Sequence, residues 1–233
     1  MDLDRFQSWS LMHLLVAAVC AGAAGAACLL GRRWRSSHPQ RERQLRIGWA
    51  AFTLLTQAFI ITWWLLPANF SWRVSLPLHI CDVTAVLAAA ALVTERRWVR
   101  AVVYFWGIGL SLVAFIMPVL TEGPAHVQFY LFWLTHLEIV GSAAYLVVVR
   151  EFRPMWRDWR IAVGWLATYY ALVVPLNVAL GTYYGYVGPG SSKADVLGAW
   201  PQRAGVMFGL QVAGLTLLLV PCLASRRQAE VRQ

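Results

Sequence analysis

Long runs of apolar residues separated by short polar segments make up most of this chain. Each run approaches the roughly 20 residues that a membrane-spanning helix needs. The seven apolar windows lie at about 9–30, 45–66, 78–94, 98–117, 128–149, 159–180 and 204–223. We therefore predict an all-α, polytopic membrane protein: a seven-transmembrane-helix bundle that forms one domain over residues 1–233. Pro77 fits the first turn of the third helix, where a missing N–H costs nothing.

The polar segments between these windows are short. The longest are 31–44 and 181–203, which leave no room for a separate soluble domain. Composition agrees, because 59% of the residues are hydrophobic and only 13% are charged. That is too little polar surface to cover a soluble domain of this size.

The basic residues alternate between sides of the predicted bundle. Sixteen of the 20 lysines and arginines fall in one set of alternate connections, near residues 31–46, 96–100 and 150–160 and in the C-terminal tail. The other set holds Arg5, Arg73, Lys193 and Arg203. The positive-inside rule then places the N-terminus outside and the C-terminus in the cytoplasm, as an odd number of spans requires. The net charge of +9 is thus a signal of topology in the cell membrane, and we expect no nucleic-acid partner.

The first apolar window contains a run of small residues, 21–27, that resembles a signal-peptidase site. We expect this helix to be retained, because Asp2 and Asp4 replace a basic leader and Arg32-Arg33 follow the run. Small residues recur four apart on one face, at Ala18, Gly22 and Ala26. This face predicts close packing against a neighbouring helix.

A polar octapeptide, Ser75 to Asp82, opens the third helix and contains His79, Cys81 and Asp82. Ionisable side chains in hydrocarbon are costly unless they pair or line a wet cavity, so each is a candidate functional residue. Further polar residues inside the spans are Gln57, Thr135, His136, Glu138 and Asn177. At 1.5 Å per residue, Cys81 and Asn177 lie about 5 Å from the outer end, and His136 and Gln57 about 12 Å. This clustering predicts one polar cavity that opens outward, and the inner half shows few polar residues.

Helical phase restricts the roles of these side chains. At 100° per residue, His79 and Asp82 share a face, whereas Cys81 points 160° away from His79. If all three serve one site, the first turn is irregular or the site wraps around the helix end. His136 and Glu138 differ by 200°, so one of the two is structural.

A cysteine, a histidine and an acid permit nucleophilic acyl transfer, because an imidazole can take the thiol proton. Asp82, Glu138 and Asn177 each remain candidates to orient the imidazole. The same residues are also consistent with a hydrogen-bonded clamp between helices. Cys20, Cys28 and Cys222 suit small apolar filler. No C-x-x-C motif is present, and we expect neither a metal nor a cofactor.

The outer loop 181–190 is rich in tyrosine and glycine. Its composition suits a lid over the outer mouth of the cavity, and it equally suits a wet loop.

Three segments of the chain resemble the YwaF-like bacterial integral membrane family. They are Leu76-Pro77-Leu78-His79-Ile80-Cys81-Asp82, Trp133-Leu134-Thr135-His136, and Asn177 with Leu180-Gly181-Thr182-Tyr183-Tyr184-Gly185-Tyr186. That family is similar to animal transmembrane protein 164, regarded as a cysteine-dependent phospholipid acyltransferase. The resemblance implies a seven-helix bundle in which Cys81 is the nucleophile and His136 its base. The matching positions further include Asn177 and Tyr184.

Two classes of function follow. The first is a lipid acyltransferase or hydrolase whose partner is a membrane phospholipid, with Cys81 and His136 catalytic. Substrate-binding or orienting roles then fall to His79, Asp82, Gln57, Glu138, Asn177 and Tyr184. The alternatives are a proton-coupled small-molecule transporter that uses Asp82, His136 and Glu138 as a relay, and a non-catalytic seven-helix protein. A retinal-type pump is excluded, because the only lysine, Lys193, falls in a predicted loop.

Overall fold

The computed structural model describes residues 3–189 and 197–231, with side chains up to residue 219. Its long elements are all helices. They are α1 (Leu11–Ser37), α2 (Pro39–Leu65), α3 (Ile80–Thr94), α4 (Arg97–Trp106), a π-helical turn (Gly107–Ser111), α5 (Val113–Ile116), α6 (Val127–Val148), α7 (Trp156–Leu180), a 3-10 turn (Tyr184–Tyr186) and α8 (Gln202–Val231). Cys222 and the arginines of the tail lie outside the residues whose side chains are described, and Lys193 lies in the undescribed segment 190–196.

Six of the described helices are long and apolar enough to cross a membrane. In this count α4 is taken together with its continuation to Ile116. The third predicted span is the shorter helix α3, with 15 residues. The prediction of an all-α polytopic membrane protein is therefore confirmed.

Two predicted boundaries were wrong. The expected loop 31–44 is almost entirely helical, because α1 continues to Ser37 and α2 begins at Pro39, with only His38 between them. Arginine is a good helix former, and proline is favoured at the first helical position, where its missing N–H has no partner to lose. Pro77 lies before α3, because the N-cap of this helix is His79.

Helix α4 lies at the centre of the bundle. Ala101, Val102, Val103 and Phe105 are fully buried, and the Trp106 indole donates to the Ala162 carbonyl of α7 at 3.2 Å. Helices α3, α6, α7 and α8 contribute to the same apolar core. The ends of α3, α6 and α7 are thereby held in fixed relative positions.

The predicted small-residue face of α1 does not pack within the chain. Ala18, Gly22 and Ala26 are exposed, and no neighbouring atom approaches within 4 Å of a side-chain position at Gly22. A different face is buried, which includes Cys20, Cys28 and Gly31. Both faces carry small residues, so residue size alone does not decide which one meets α6 and α2.

One end of the bundle carries the junctions α1–α2, α3–α4 and α6–α7; we call it the arginine-rich end. Many of its arginines are paired with acids. Asp158, which is fully buried, accepts hydrogen bonds from Arg97 Nε at 2.9 Å and Nη2 at 2.6 Å. Glu42 accepts from Arg46 Nε at 3.1 Å and from the Tyr145 hydroxyl at 3.0 Å. Arg97 therefore joins α4 to α7, and Tyr145 joins α6 to α2.

Candidate functional site

The candidate site lies at the opposite end of the bundle, where α3 begins. His79 has an extended backbone (φ −70°, ψ 148°), and its N–H donates to the Asp82 carboxylate at 3.0 Å. Asp82 thus caps the helix that it belongs to, as acidic residues at the third helical position commonly do. Because His79 lies before the first residue of the helix, the site wraps around the helix end. This is one of the two arrangements that the angles between His79, Cys81 and Asp82 around the helix allow.

The His79 ring packs against the loop that follows α7. Its centroid lies 5.3 Å from that of Tyr184 and 5.8 Å from that of Tyr186. The Gly185 N–H donates to His79 Nδ1 at 3.4 Å. An accepting Nδ1 places the proton of a neutral imidazole on Nε2.

Asn177 organises the same loop from within α7. It is fully buried, and its Oδ1 accepts from the Thr182 hydroxyl at 2.7 Å and from the Tyr184 N–H at 2.9 Å. Its Nδ2 donates to the Tyr184 carbonyl at 2.9 Å. Gly181, at φ 63° in the left-handed region that glycine favours, ends α7 and turns the chain into this loop.

Other elements hold the loop in place. The Tyr184 hydroxyl donates to the Trp72 carbonyl at 2.5 Å and accepts from the Leu76 N–H at 3.2 Å. Arg203, which is 2% exposed at the start of α8, donates to the carbonyls of Tyr186 at 3.0 Å and Gly188 at 2.6 Å. With Tyr184 itself fully buried, this segment is a packed cover over the end of the bundle. The wet-loop interpretation is therefore wrong for residues 182–188.

Cys81 lies in the first turn of α3, beneath this cover. Cys81 as a whole residue has intermediate exposure, whereas Cys20 and Cys28 are buried in apolar surroundings as expected. Tyr169 of α7 and Tyr186 of the cover lie close to this turn, where they contact Leu78 and His79. Tyr169 in turn donates to the Leu78 carbonyl at 2.8 Å, so α7 is tied to the turn that leads into α3.

His136 lies on α6, and its ring packs against the ring of Phe132, one turn earlier on the same helix. Its Nδ1 lies 2.7 Å from the Phe132 carbonyl, and the two rings are 4.3 Å apart. A carbonyl only accepts, so Nδ1 carries the proton and Nε2 has the free lone pair that a general base needs.

Gln57 and Glu138 lie between α2 and α6. Gln57 Nε2 donates to the Thr135 hydroxyl at 3.4 Å, and Thr56 lies beside the Glu138 carboxyl. Both Glu138 oxygens nevertheless lack a partner in hydrogen-bonding geometry among the described residues.

The eight predicted residues thus form two groups. His79, Cys81, Asp82, Asn177 and Tyr184 meet at the start of α3, and Gln57, His136 and Glu138 belong to α2 and α6. Among the described residues, no hydrogen bond or ring contact joins Cys81 to His136. A small cleft beside the first group is lined by Ile60, Ile61, Trp64, Val74, Ser75, Leu76, Pro77, His79 and Asp82.

Three residues of the site were missed in the sequence: Tyr169, Tyr186 and Arg203. Arg203 had a signal, because it is the only arginine close to the predicted start of the last span on the arginine-poor side. Tyr186 had a signal in the tyrosine-rich loop 181–190 and in the segment that carries the resemblance. Tyr169 had none, since aromatic residues are common at both ends of membrane helices.

Fold and site together define a polytopic helical membrane protein with a covered polar site at one end. The model of the TMEM164 family matches residues 6–220. The chain belongs to the TMEM164 family. No curated protein and no solved structure gives a significant match.

Proposed function

We propose that this protein is a membrane-embedded lipid acyltransferase or hydrolase of the cytoplasmic membrane, with Cys81 as nucleophile and His136 as base. The resemblance to the YwaF-like bacterial proteins is part of this proposal. So is the orientation with the site on the outer side. The substrate is a membrane phospholipid, whose acyl ester reaches Cys81 from the lipid phase.

The placement of Cys81 carries the proposal. It lies in the first turn of a helix whose start is tied to α7 by the Tyr169–Leu78 hydrogen bond and to the cover by the ring contact of His79 with Tyr184. The N–H groups of Asp82 and Val83 already donate to the His79 carbonyl. The earlier N–H groups of the first turn, those of Ile80 and Cys81, would therefore stabilise a developing oxyanion. The exposed apolar side chains around the bundle would let an acyl chain approach from lipid.

Acyl transfer would proceed in two balanced steps. His136 Nε2 takes the proton of the Cys81 thiol, and Sγ attacks the ester carbonyl carbon of the phospholipid. The C–O bond breaks, and the departing lysolipid oxygen receives the proton from His136. In the second step His136 takes the proton of a lysolipid hydroxyl or of water, whose oxygen attacks the thioester carbonyl carbon. The S–C bond breaks, and His136 returns the proton to the departing Cys81 Sγ.

The remaining residues of the site would position the reacting groups. Asp82 fixes the start of α3 through the His79 N–H. Asn177 and Tyr184 fix the cover, and His79 contacts the cover through its ring. Their contacts to backbone and to one another support a positioning role for these four.

The test is to trap an acyl-enzyme. Purified protein in phospholipid vesicles is incubated with a phospholipid whose acyl chain carries an alkyne, and the protein-bound alkyne is detected by mass spectrometry. We expect a hydroxylamine-sensitive adduct on Cys81 that is lost in Cys81→Ala and reduced at least tenfold in His136→Ala. Cys28→Ala, which removes a buried thiol, serves as the matched control. An adduct on any other cysteine, or equal adduct in wild type and Cys81→Ala, would contradict the proposal.

A further inference from the structure

A line of polar side chains runs along the interface of the antiparallel helices α2 and α6. We call it the α2–α6 seam. Its members are Trp49, Thr53, Thr56 and Gln57 of α2 and Thr135, Glu138, Ser142 and Tyr145 of α6. On α6 these residues are three, four and three positions apart, the spacing of one helix face. The sequence interpretation expected few polar groups in the inner half of the bundle, and the seam shows that this expectation was wrong.

Contacts along the seam give the order of the pairs. Gln57 donates to Thr135, and Thr56 lies beside Glu138. The Trp49 ring lies against Gly141, where Cζ2 would come within 2.7 Å of an added side-chain carbon. Tyr145 donates to Glu42 at 3.0 Å. The seam thus spans from Gln57 to the arginine-rich end.

Buried polar atoms of the seam have no partner among the described residues. These atoms are the two carboxylate oxygens of Glu138, Gln57 Oε1, Ser142 Oγ and Trp49 Nε1. Glu138 and Ser142 are fully buried. Trp49 and Gln57 are eight positions apart on α2, so the unpartnered atoms extend over about 12 Å. Buried polar groups in folded proteins are almost always hydrogen-bonded, and water supplies the bond where the protein does not.

The two ends of the seam differ. Beyond Gln57 and Thr135 it is closed by the apolar side chains of Ile60 and Leu131, which are 8% and 6% exposed. Ile60 also lines the cleft beside His79, so it separates the seam from the candidate site. The other end leads to the arginine-rich end of the bundle, where the side chains of Arg46 and Arg150 are 11% and 21% exposed.

We propose that the α2–α6 seam is a water-filled half-channel entered from the arginine-rich end, in which Glu138 binds and exchanges a proton. The proton comes from the water of the seam and returns to it, so no other reactant is consumed. The charged groups around the seam gather at its entrance: Glu42 and Arg46 of α2, Arg150 after α6, and Arg100 of α4. The polar neighbour of the Glu138 carboxyl is the uncharged Thr56, so none of these four charged groups neutralises it.

This inference is independent of the acyl-transfer proposal. Both proposals use α6, but His136 and Glu138 point about 200° apart around that helix, and neither the Cys81 thiol nor the cover over it takes part in the seam.

Infrared spectroscopy of the protein in phospholipid vesicles tests the inference. A protonated buried carboxyl has a C=O stretching band that is separate from the amide bands and shifts to lower wavenumber when the proton is replaced by deuterium. We expect such a band in the wild type, its loss in Glu138→Gln and a change of its position in Glu138→Asp. If Glu138→Gln fails to fold, Glu138→Asp still assigns the band.

Exchange into deuterated buffer then tests for water. We expect the band to shift as soon as the buffer is replaced, and the shift to slow several-fold in Ser142→Ala. The matched control is Thr84→Val, which removes a buried hydroxyl that already bonds within its own helix. A spectrum without a Glu138 band, a band that resists deuterium for hours, or wild-type exchange in Ser142→Ala would each overturn the half-channel.

Discussion

The Asn177 side chain pairs with both polar groups of the Tyr184 backbone. Its Oδ1 accepts from the Tyr184 N–H and its Nδ2 donates to the Tyr184 carbonyl, each at 2.9 Å. The amide thus takes the place that a neighbouring strand would have in a sheet. It satisfies a stretch of buried backbone that has no regular secondary structure.

Replacement of Asn177 by alanine should therefore loosen the cover. Asn177→Ala leaves both backbone groups of Tyr184 buried without partners, at a cost of about 2–4 kcal/mol in the free energy of unfolding. The measurement is thermal unfolding in detergent, followed by tryptophan fluorescence. Asn69→Ala is the matched control, because Asn69 is partly exposed and makes one hydrogen bond, to the Trp63 carbonyl. Equal loss of stability in both variants would contradict the role of Asn177.

Asp82 should behave as a helix cap. Asp82→Ala removes the acceptor of the His79 N–H and should lower the free energy of unfolding by about 1 kcal/mol. Asp82→Asn keeps an oxygen at that position and should retain most of the stability and most of the Cys81 adduct. If Asp82→Asn abolishes the adduct while unfolding as the wild type does, the negative charge takes part in the chemistry and the capping role is insufficient.

The Arg97–Asp158 pair should be the most costly ion pair to break at the arginine-rich end. Arg97→Ala leaves a fully buried carboxylate without its cation, at a cost of about 3–5 kcal/mol. The comparison is Arg35→Ala, because the partner Glu151 is 64% exposed and water replaces the lost contact. Unfolding in detergent measures both. In the double variant Arg97→Ala, Asp158→Ala, part of the lost stability should return, and a double variant no better than Arg97→Ala would contradict this account.

Replacement by alanine should change the free energy of unfolding in opposite directions at Gly141 and Gly164. At Gly141 a methyl group would meet the Trp49 ring, and we expect a loss of about 1–3 kcal/mol from overpacking. At Gly164 no atom lies within 4 Å of the added carbon, and the helix should gain about 0.5–1 kcal/mol. The measurement is thermal unfolding of the two variants under the same conditions. If Gly141→Ala were as stable as the wild type, α2 and α6 would be farther apart than the contact of Trp49 with Gly141 indicates.

Much of the candidate site could be predicted from the sequence because polar and ionisable groups are rare in apolar spans, and Tyr184 because it belongs to the segment that carries the family resemblance. His79, Cys81, Asp82, Asn177 and Tyr184 were all predicted there, and they meet at one end of the bundle. Their separate tasks could not be predicted. Asp82 and Asn177 bond to backbone groups, and a backbone donor or acceptor has no signature in the sequence.

The sequence by itself determined the class of protein and the approximate positions of its helices. Each span must be apolar over its own length whatever its neighbours are, so hydropathy is readable one segment at a time. Tertiary structure alone decided which face of each helix is buried. Ala18, Gly22 and Ala26 face outward while Cys20, Cys28 and Gly31 are buried, and the polar residues of α2 and α6 line up into one seam. Rotation of a helix about its axis changes neither its length nor its hydropathy, and only contacts with the neighbouring helices select it.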